Sequence, residues 1–433
     1  MPSTAPFPAR PLHPVLVTLL AGGAALATYA CMYAFRKPFA AATFGGAEFL
    51  GVDYKVWLVV AQVLGYMCSK FIGIRVIGEL DQARRARLLL ALIGAAWLAL
   101  LGFALVPAPW NIPFLFLNGL PLGMVWGVVF SYLEGRRATE AMGAILASSF
   151  IFASGLVKTV GKALLLAGVS EFWMPFLTGA VFVLPLLLSV RLLDRVPPPD
   201  AADRAARSER RALSTSERRA FVARFLPGLV LAIAGYVALT VVRDFRDNFE
   251  AELFTDLGYG NSATVFAQLE TPIAIAVLLL TAGLMLVRNN LRGLMLMHAL
   301  MLAGLATAGL ATLAFQSGQL PPLWWLGLVG FGLYLAYVPF NCVFFERLIA
   351  TFRVAGNVGF LMYLADAFGY LGSVVVLLVK EFATLQLSWT DFFAASVLRL
   401  AVFGSIALLG SALYFRHKVR RERFRGVALP LAV

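Results

Sequence analysis

The feature that most constrains the fold of this chain is a series of about twelve apolar segments, each about 20 residues long. They begin near residues 13, 54, 86, 110, 138, 172, 221, 262, 293, 322, 356 and 390. As a helix, each is long enough to cross a hydrocarbon core of about 30 Å. Hydrophobic residues make up 61% of the sequence and charged residues 14%, which excludes a soluble domain. The sequence therefore predicts an all-α, multi-pass membrane protein with twelve transmembrane helices and no cleavable signal peptide.

Every third segment differs from its neighbours in polarity. The segments near 86–106, 172–193, 293–315 and 391–415 are plainly apolar, whereas those between them carry ionisable side chains. These side chains are Arg36, Lys37, Lys70, Lys158, Arg243, Asp244, Glu270 and Asp366. Charge within a membrane is costly and normally faces a protein interior or a water-filled cavity. We therefore expect inner helices around one central cavity and outer helices around them, a layout that is typical of a transporter.

A linker divides the segments into two sets of six. Residues 194–220 interrupt the apolar pattern with three consecutive prolines and a run of charge. This predicts an N-terminal half (1–193), the linker, a C-terminal half (221–416) and a basic tail (417–433). The halves are weakly similar to each other: 35–39 (FRKPF) matches 245–249 (FRDNF), 61–62 matches 267–268, and 133–134 matches 345–346. These matches favour a duplicated six-helix unit.

The net charge of +13 follows the predicted topology. Most of the 36 lysines and arginines lie at the termini, in the linker and in alternate loops, while the loops 107–111 and 316–322 have none. The positive-inside rule then predicts cytoplasmic termini and a location in the inner (cytoplasmic) membrane. This placement explains the charge without a nucleic-acid partner. The three cysteines all fall within spans, so we expect neither a disulfide framework nor a metal site.

Two spans present tyrosine and arginine on one helical face. Tyr29, Tyr33 and Arg36 in the first span are spaced i, i+4, i+7, and Tyr236 precedes Arg243 by seven residues in the seventh. Five Lys or Arg side chains near span centres would cost on the order of 15 kcal/mol without compensation. Carboxylates, a bound anion or cavity water must therefore accompany them.

Guanidinium groups suit bidentate binding of phosphate or carboxylate, and lysine acts as a point charge. We predict a site for a small organic anion formed by Arg36, Lys70, Arg243, Tyr29, Tyr33, Lys158 and Tyr236. Neighbouring carboxylates are predicted as internal ion pairs or proton carriers; these are Glu270, Asp366, Asp244 and Asp247. Charges at the loop mouths on the linker side predict cytoplasmic gate salt bridges between the halves: Asp81, Arg84, Arg85, Glu134, Arg136, Arg137, Glu346 and Arg347.

Other functions stay open at this point. Complete pairing of the internal cations would favour a proton-coupled exporter or symporter of drugs or other small solutes through Glu270 or Asp366. A membrane receptor or sensor that does not transport would use the same helices. The sequence has no nucleophile–base pair, metal cluster or nucleotide motif, so we expect no enzyme activity and no cofactor. A monomer in the lipid bilayer is expected.

The stretches 29–40 (YACMYAFRKPFA) and 65–72 (GYMCSKFI) resemble the first two spans of the organophosphate:phosphate antiporters of the major facilitator superfamily. The resemblance covers about 60 residues and implies rocker-switch alternating access. It also implies that Arg36 and Arg243 flank a phosphate, with Lys70 nearby, and that phosphate is the counter-substrate; protons carried by Glu270 or Asp366 are the other expected coupling partner. The chain departs from that family in the fifth span, where Ser154 and Lys158 occupy the region of its histidine.

Overall fold

The computed structural model describes residues 14–78, 84–136, 138–199, 203, 215–352, 358–382 and 387–424. Nearly all of them are helical. The helices are α1 (Pro14–Tyr33), α2 (Tyr54–Gly78), α3 (Arg85–Leu105), α4 (Ile112–Ser131), α5 (Thr139–Leu166), α6 (Met174–Asp194), α7 (Thr215–Asn248), α8 (Glu250–Asp256), α9 (Val265–Met285), α10 (Asn290–Gln316), α11 (Pro322–Pro339), α12 (Phe345–Phe352), α13 (Val358–Phe382) and α14 (Trp389–Phe424). A 3₁₀ turn (Pro38–Ala41) follows α1, and two short antiparallel strands, β1 (Glu48–Phe49) and β2 (Val52–Asp53), precede α2.

Twelve spans are present in the described part of the chain. Ten helices are long and apolar enough to cross a membrane, and α2 and α13, of 25 residues each, complete the set. A π-helical turn (Phe340–Phe344) joins α11 to α12, so these two form one span. The predicted span starts agree with the helix starts to within a few residues, except at the seventh span. The all-α membrane fold with two six-helix halves around a central cavity is confirmed.

Small residues set the closest helix contacts. A Cβ atom added at Gly119 of α4 would lie 2.2 Å from the Gln62 carbonyl oxygen of α2, and one added at Gly65 would lie 2.2 Å from the Phe116 carbonyl oxygen. Neither site accepts a larger residue without moving backbone. This contact fixes α2 against α4 in the N-terminal half. Across the halves, α5 packs against α9 and α2 packs against α13.

The two ends of the bundle are distinguished by the helix directions. We call the end at which α1 begins, α6 ends and α7 begins the linker side, and the opposite end, where α1 ends and α2 begins, the far side. Exposed Trp110 and Trp324 lie at the far side, beside loops without lysine or arginine. Tryptophan is typical of a membrane–water interface.

Three helix ends differ from the expected boundaries. The helix α7 begins at Thr215, so the last residues of the predicted linker 194–220 are helical, and α14 continues through the start of the predicted tail to Phe424. Basic and polar residues there extend amphipathic or solvated turns beyond the apolar core. The helix α1 ends at Tyr33, although the sequence analysis placed Arg36 on the same helical face within the first span. Pro38 has no N–H for a helical hydrogen bond, and its ring restricts the preceding residue.

Candidate functional site

The turn after α1 places Arg36 at the centre of the bundle. The chain leaves α1 through tight turns, in which Arg36 N–H donates to the Tyr33 carbonyl at 3.0 Å. Gln62 donates to the Arg36 carbonyl and Asn118 to the Phe35 carbonyl, each at 2.8 Å. Irregular backbone at membrane depth requires such partners. Both side-chain NH₂ groups are fully used as donors, because Gln62 also donates to the Asn118 side chain, and Asn118 to the Ala96 carbonyl.

The Arg36 guanidinium has aromatic neighbours but no carboxylate. Its central carbon lies 4.0 Å from the centroid of the Tyr66 ring and 5.9 Å from that of Tyr33. The residue is 9% exposed, and its Nε is buried without a hydrogen-bond partner. Among the residues that the structure describes, no ion pair to Arg36 is formed. Five N–H donors are thus directed at rings and at the cavity.

Arg243 lies on the facing wall of the C-terminal half and, unlike Arg36, pairs with a carboxylate. Its Nη2 lies 2.5 Å from the Asp244 carboxylate, and its guanidinium lies 3.9 Å from the Tyr337 ring centroid. Ser373 of α13 donates to the second oxygen of Asp244 at 3.1 Å. Arg243 therefore has a carboxylate partner, whereas Arg36 has none among the described residues.

Asp366 connects the two halves nearer the linker side. The Tyr236 hydroxyl donates to its Oδ1 at 2.6 Å, and the Asn341 amide donates to the same hydroxyl at 2.8 Å. Asn341 lies in the π-helical turn, which turns its side chain toward Tyr236. Lys70 of α2 approaches Asp366 only to 3.6 Å. Tyr66 and Tyr370 make an edge-on contact across the halves, with ring centroids 5.4 Å apart.

A tight lattice of ion pairs closes the far side of the site. Asp247 of α7 accepts from Lys37 at 2.5 Å, from Lys158 at 2.8 Å and from Ser154 at 2.5 Å. Lys37 also donates to Asn248 at 2.8 Å. One carboxylate of the C-terminal half thus holds α5 and the turn after α1.

The lattice continues through two glutamates. Lys158 also lies 2.9 Å from Glu250, and Arg246 pairs with Glu270 at 2.6 Å and with Glu250 at 3.5 Å. Glu250 Oε1 and Glu270 Oε2 are buried without hydrogen-bond partners. A Cβ atom added at Gly155 of α5 would lie 2.7 Å from the Glu270 Cβ, so this glycine admits the glutamate between the halves.

Lys55, Glu250 and Glu252 were not predicted as site residues. Lys55 is fully buried and lies 2.6 and 2.7 Å from the two oxygens of Glu252, and it also donates to the Ala40 carbonyl. All three residues lie at span ends, where sequence analysis assigns charge to the membrane surface. The acidic run from Asp247 to Glu252, directly after an apolar span, was the available signal.

A count of the charged side chains on the inner helices shows that Arg36 differs from the other cations. Seven inner cations are Arg36, Lys37, Lys55, Lys70, Lys158, Arg243 and Arg246; six inner carboxylates are Asp244, Asp247, Glu250, Glu252, Glu270 and Asp366. Within the described residues, every one of these cations except Arg36 has a carboxylate within 4 Å. The seven cations thus exceed the six carboxylates by one positive charge.

The remaining predicted site residues lie beside this centre. Tyr29 packs edge-on against Tyr33 at 5.6 Å and against Trp126 at 5.1 Å between ring centroids. Tyr236 stacks between Tyr337 and Phe340. The structure thus brings all seven predicted anion-site residues to the inner face of the bundle. Lys158 differs from the others because both of its carboxylate partners belong to the far-side lattice.

The predicted cytoplasmic gate is only partly described. Asp81 and Arg137 lie outside the described residues. Arg85 lies 5.4 Å from the Tyr132 ring centroid, Arg136 donates to the Pro197 carbonyl of the linker, and Arg347 donates to Asn290 at 3.0 Å; none of these three contacts joins one half to the other. Arg84 is exposed at the start of α3, Glu134 lies just after the end of α4, and Glu346 lies in the first turn of α12. Inter-half gate bridges here stay a prediction.

The chain resembles solved transporters in fold. The nucleoside transporter NupG is 14% identical with a TM-score of 0.61, covering 92% of this chain and 99% of NupG. A bacterial homolog of the human lysosomal transporter Spinster, inward-facing and unoccupied, is 14% identical with a TM-score of 0.61 and covers 95% and 99%. A D-xylose-proton symporter is 14% identical with a TM-score of 0.58 and covers 92% and 97%. These likenesses establish the major facilitator fold.

Sequence comparison is less specific. The model of a family of unknown function, DUF5690, matches residues 38–418. No curated protein matches the chain. The matched region includes most of the site but begins two residues after Arg36.

Proposed function

We propose that this chain, which belongs to the DUF5690 family of unknown function, is a secondary active transporter that moves a small organic anion by alternating access. The observation that carries the proposal is the Arg36 guanidinium, which is buried between the halves without a carboxylate. An unpaired charge within a membrane costs about 3 kcal/mol or more, and each buried donor without a partner adds about 1 to 3 kcal/mol. A bound anion removes both costs.

The fold supports transport as the use of this site. The solved proteins with which the chain shares its fold are named as nucleoside, xylose–proton and Spinster-like transporters. In this fold the substrate lies between the two halves near the bilayer midplane. The contact of Arg36 with Tyr66 of its own half, and of Tyr66 with Tyr370 of the other half, supports Arg36 as a substrate ligand there.

We assign a role in substrate binding to each cation according to whether a carboxylate already pairs with it. Arg36 is the primary anion ligand, with Tyr33 and Tyr66 as hydroxyl donors at its edge. Arg243 and Lys70 bear positive charge near the site, but Asp244 and Asp366 already offset it. Lys158 acts in closing the far side, since its ammonium lies between Asp247 and Glu250. Phosphate exchange and proton symport are both compatible modes of coupling.

Exchange in proteoliposomes tests the proposal. Vesicles loaded with phosphate or with a labelled organic acid are challenged with a panel of phosphate esters and carboxylates, with wild type, Arg36→Gln and the exposed-arginine control Arg292→Gln side by side. We expect anion flux in wild type and Arg292→Gln and a loss of about tenfold or more in Arg36→Gln, because a charge-assisted hydrogen bond contributes about 1.5 to 3 kcal/mol. Equal flux in wild type and Arg36→Gln would overturn the assignment of Arg36.

Proton coupling has its own structural support. Glu270 has one buried carboxylate oxygen without a hydrogen-bond partner, and it lies within the contact between α5 and α9. A proton on that oxygen would weaken the Arg246 pair and loosen the far-side lattice. Uptake driven by an imposed pH gradient in wild type, and abolished in Glu270→Gln while exchange persists, supports symport. Equal gradient-driven uptake in both would exclude Glu270 as the coupling residue.

The linker side is proposed to be cytoplasmic. The basic termini and linker support this orientation through the positive-inside rule. A single cysteine introduced in a variant without native cysteines, at exposed Glu48 on the far side or exposed Arg292 on the linker side, reports the orientation through an impermeant thiol reagent. Labelling of intact cells at position 48 and not at position 292 is the expected result.

A further inference from the structure

The region around Arg36 carries one uncompensated positive charge. Lys37, Lys158 and Arg246 are balanced by the far-side carboxylates, Lys70 approaches Asp366, and Arg243 pairs with Asp244. A ligand with a single negative charge therefore neutralises the site. A dianion leaves a negative charge in a region of low dielectric constant, where an unpaired charge is costly. The charge balance thus favours a monoanion over a phosphate dianion.

The side-chain NH₂ groups beside Arg36, which could otherwise donate to the hydroxyl groups of a ligand, already donate to acceptors within the protein. The Gln62 amide donates to the Arg36 carbonyl and to Asn118, and the Asn118 amide donates to two backbone carbonyls. Asn341 donates to Tyr236, and the Ser148 hydroxyl donates to the Ile145 carbonyl at 2.6 Å. A polyol body needs partners for each buried hydroxyl. The Gln62 and Asn118 NH₂ groups are therefore not free to donate to a ligand hydroxyl, which disfavours a sugar or glycerol body.

The same wall is rich in aromatic rings. From Arg36 the rings run through Tyr33 and Tyr29 to Trp126 and Phe150, with successive centroid distances of 5.6, 5.1 and 4.7 Å between the rings. Tyr29 and Tyr33 are buried, whereas Trp126 and Phe150 are half-buried. Within the described residues, the Trp126 indole N–H has no hydrogen-bond partner. The half-buried end of this wall thus offers ring faces and one donor to a ligand.

We infer that the substrate is an organic monoanion with a flat apolar body, of which an aromatic carboxylate is the simplest form. The carboxylate binds the Arg36 guanidinium, and the body packs against Trp126 and Phe150. Aromatic ligands gain by edge-on and offset contact with such rings, and planar carboxylates match the guanidinium fork. This inference rests on the proposed transport of an anion and narrows its substrate class.

Uptake and competition in proteoliposomes with the full chain test the inference. The probes are phenylacetate and indole-3-acetate, with cyclohexylacetate, lactate and glycerol 3-phosphate as anions of other shape or charge, and phenylacetamide as the neutral isostere. We expect both aromatic carboxylates to be taken up and to compete with each other. Lactate and glycerol 3-phosphate should compete at least about tenfold less well, and phenylacetamide not at all, because it lacks the charge that Arg36 requires.

Two variants separate the body contact from the charge contact. Trp126→Leu should weaken competition by indole-3-acetate about two- to tenfold while leaving lactate competition unchanged, since a ring contact and not a charge is removed. Trp110→Leu, at an exposed tryptophan on the far side, should match wild type. Arg36→Gln should weaken all the anions together.

The outcomes distinguish the two levels of the proposal. If no anion of the panel is transported or competes, the proposed transport of organic anions fails together with this inference. If glycerol 3-phosphate or lactate is preferred and the preference depends on Arg36, transport stands and the aromatic monoanion is overturned. Equal competition by cyclohexylacetate and phenylacetate, unaffected by Trp126→Leu, would also overturn the role of the rings.

Discussion

The inner walls of the two halves carry opposite charge. In the described part of the N-terminal half, the buried side chains of lysine, arginine, aspartate or glutamate are all cations: Arg36, Lys37, Lys55, Lys70 and Lys158. The facing wall of the C-terminal half has the carboxylates Asp244, Asp247, Glu250, Glu252, Glu270 and Asp366, with Arg243 and Arg246 among them. Each described ion pair between these walls accordingly joins a lysine of one half to a carboxylate of the other.

Because the cations and the carboxylates lie on opposite walls, opening of the far side would break ion pairs between the halves. Opening the far side separates Lys37, Lys55 and Lys158 from their carboxylates, so that side cannot open without water or ions to solvate both walls. The exposed wall of the N-terminal half then attracts anions toward Arg36. Arg36 differs from the four lysines because it binds no wall carboxylate. The lysines hold the halves together, and Arg36 is the cation that we propose binds the ligand.

The largest expected effect follows from removing the shared carboxylate of the lattice. Asp247→Asn leaves Lys37 and Lys158 with one fewer negative charge in a buried position. Breaking a buried pair by removing one partner costs about 3 to 5 kcal/mol. We expect a large fall in the melting temperature of the purified protein in detergent, with the exposed control Glu48→Gln unchanged. Equal melting temperatures for both variants would show that the lattice does not stabilise this conformation.

A double-mutant cycle at Lys55 and Glu252 sharpens the comparison further. Lys55 forms its ion pair with Glu252, and Asp53 lies nearby as an acceptor for the Lys55 backbone N–H, so the cycle isolates the coupling of the pair from that of Asp53. Glu252→Gln alone should destabilise the protein by about 3 kcal/mol because Lys55 stays buried and charged. Lys55→Met together with Glu252→Gln should recover most of that loss, since no unpaired charge is left. Additive losses in the double variant would contradict the pairing.

Substitution of Arg36 should change the stability of the protein in the opposite direction from substitution of the lysines. Arg36→Met removes a buried charge without a partner and should stabilise the protein by about 1 to 3 kcal/mol while abolishing anion binding. Lys158→Met, in the same half, leaves Asp247 and Glu250 short of a cation and should destabilise it. The melting temperatures of the two variants are compared in the absence of any anion. A loss of stability in both would place Arg36 among the structural cations.

The sequence predicts the span layout well because the information is local. A span needs about 20 apolar residues, and charge inside it is costly, so both the helices and the inner residues Arg36, Lys70 and Arg243 can be recognised without tertiary contacts. Pro38 also offered a local signal for the early end of α1. That signal explains why Tyr29, Tyr33 and Arg36 do not share one continuous helix.

The ion-pair partners could not be predicted in the same way. Lys55 and Glu252 are 197 residues apart and lie at span ends, where charge is normal. Whether such residues meet depends on how the halves pack, and sequence spacing does not contain that distance. The same holds for Arg36, whose lack of a carboxylate follows from the positions of six acidic groups on the opposite wall.

The smallest expected effect concerns the linker-side contact. Lys70 and Asp366 are 3.6 Å apart, too far for a direct hydrogen bond, and the Asp366 side chain is 13% exposed. The attraction is therefore weaker than at Asp247, which has two lysines at 2.5 and 2.8 Å, and Asp366→Asn should cost about 1 kcal/mol, well below Asp247→Asn. The asparagine oxygen still accepts from the Tyr236 hydroxyl, which keeps the packing of α7 against α13. A fall in melting temperature as large as that of Asp247→Asn would show that both ends of the site are locked equally. A smaller fall supports a conformation in which the far side is closed tightly and the linker side is the first to open.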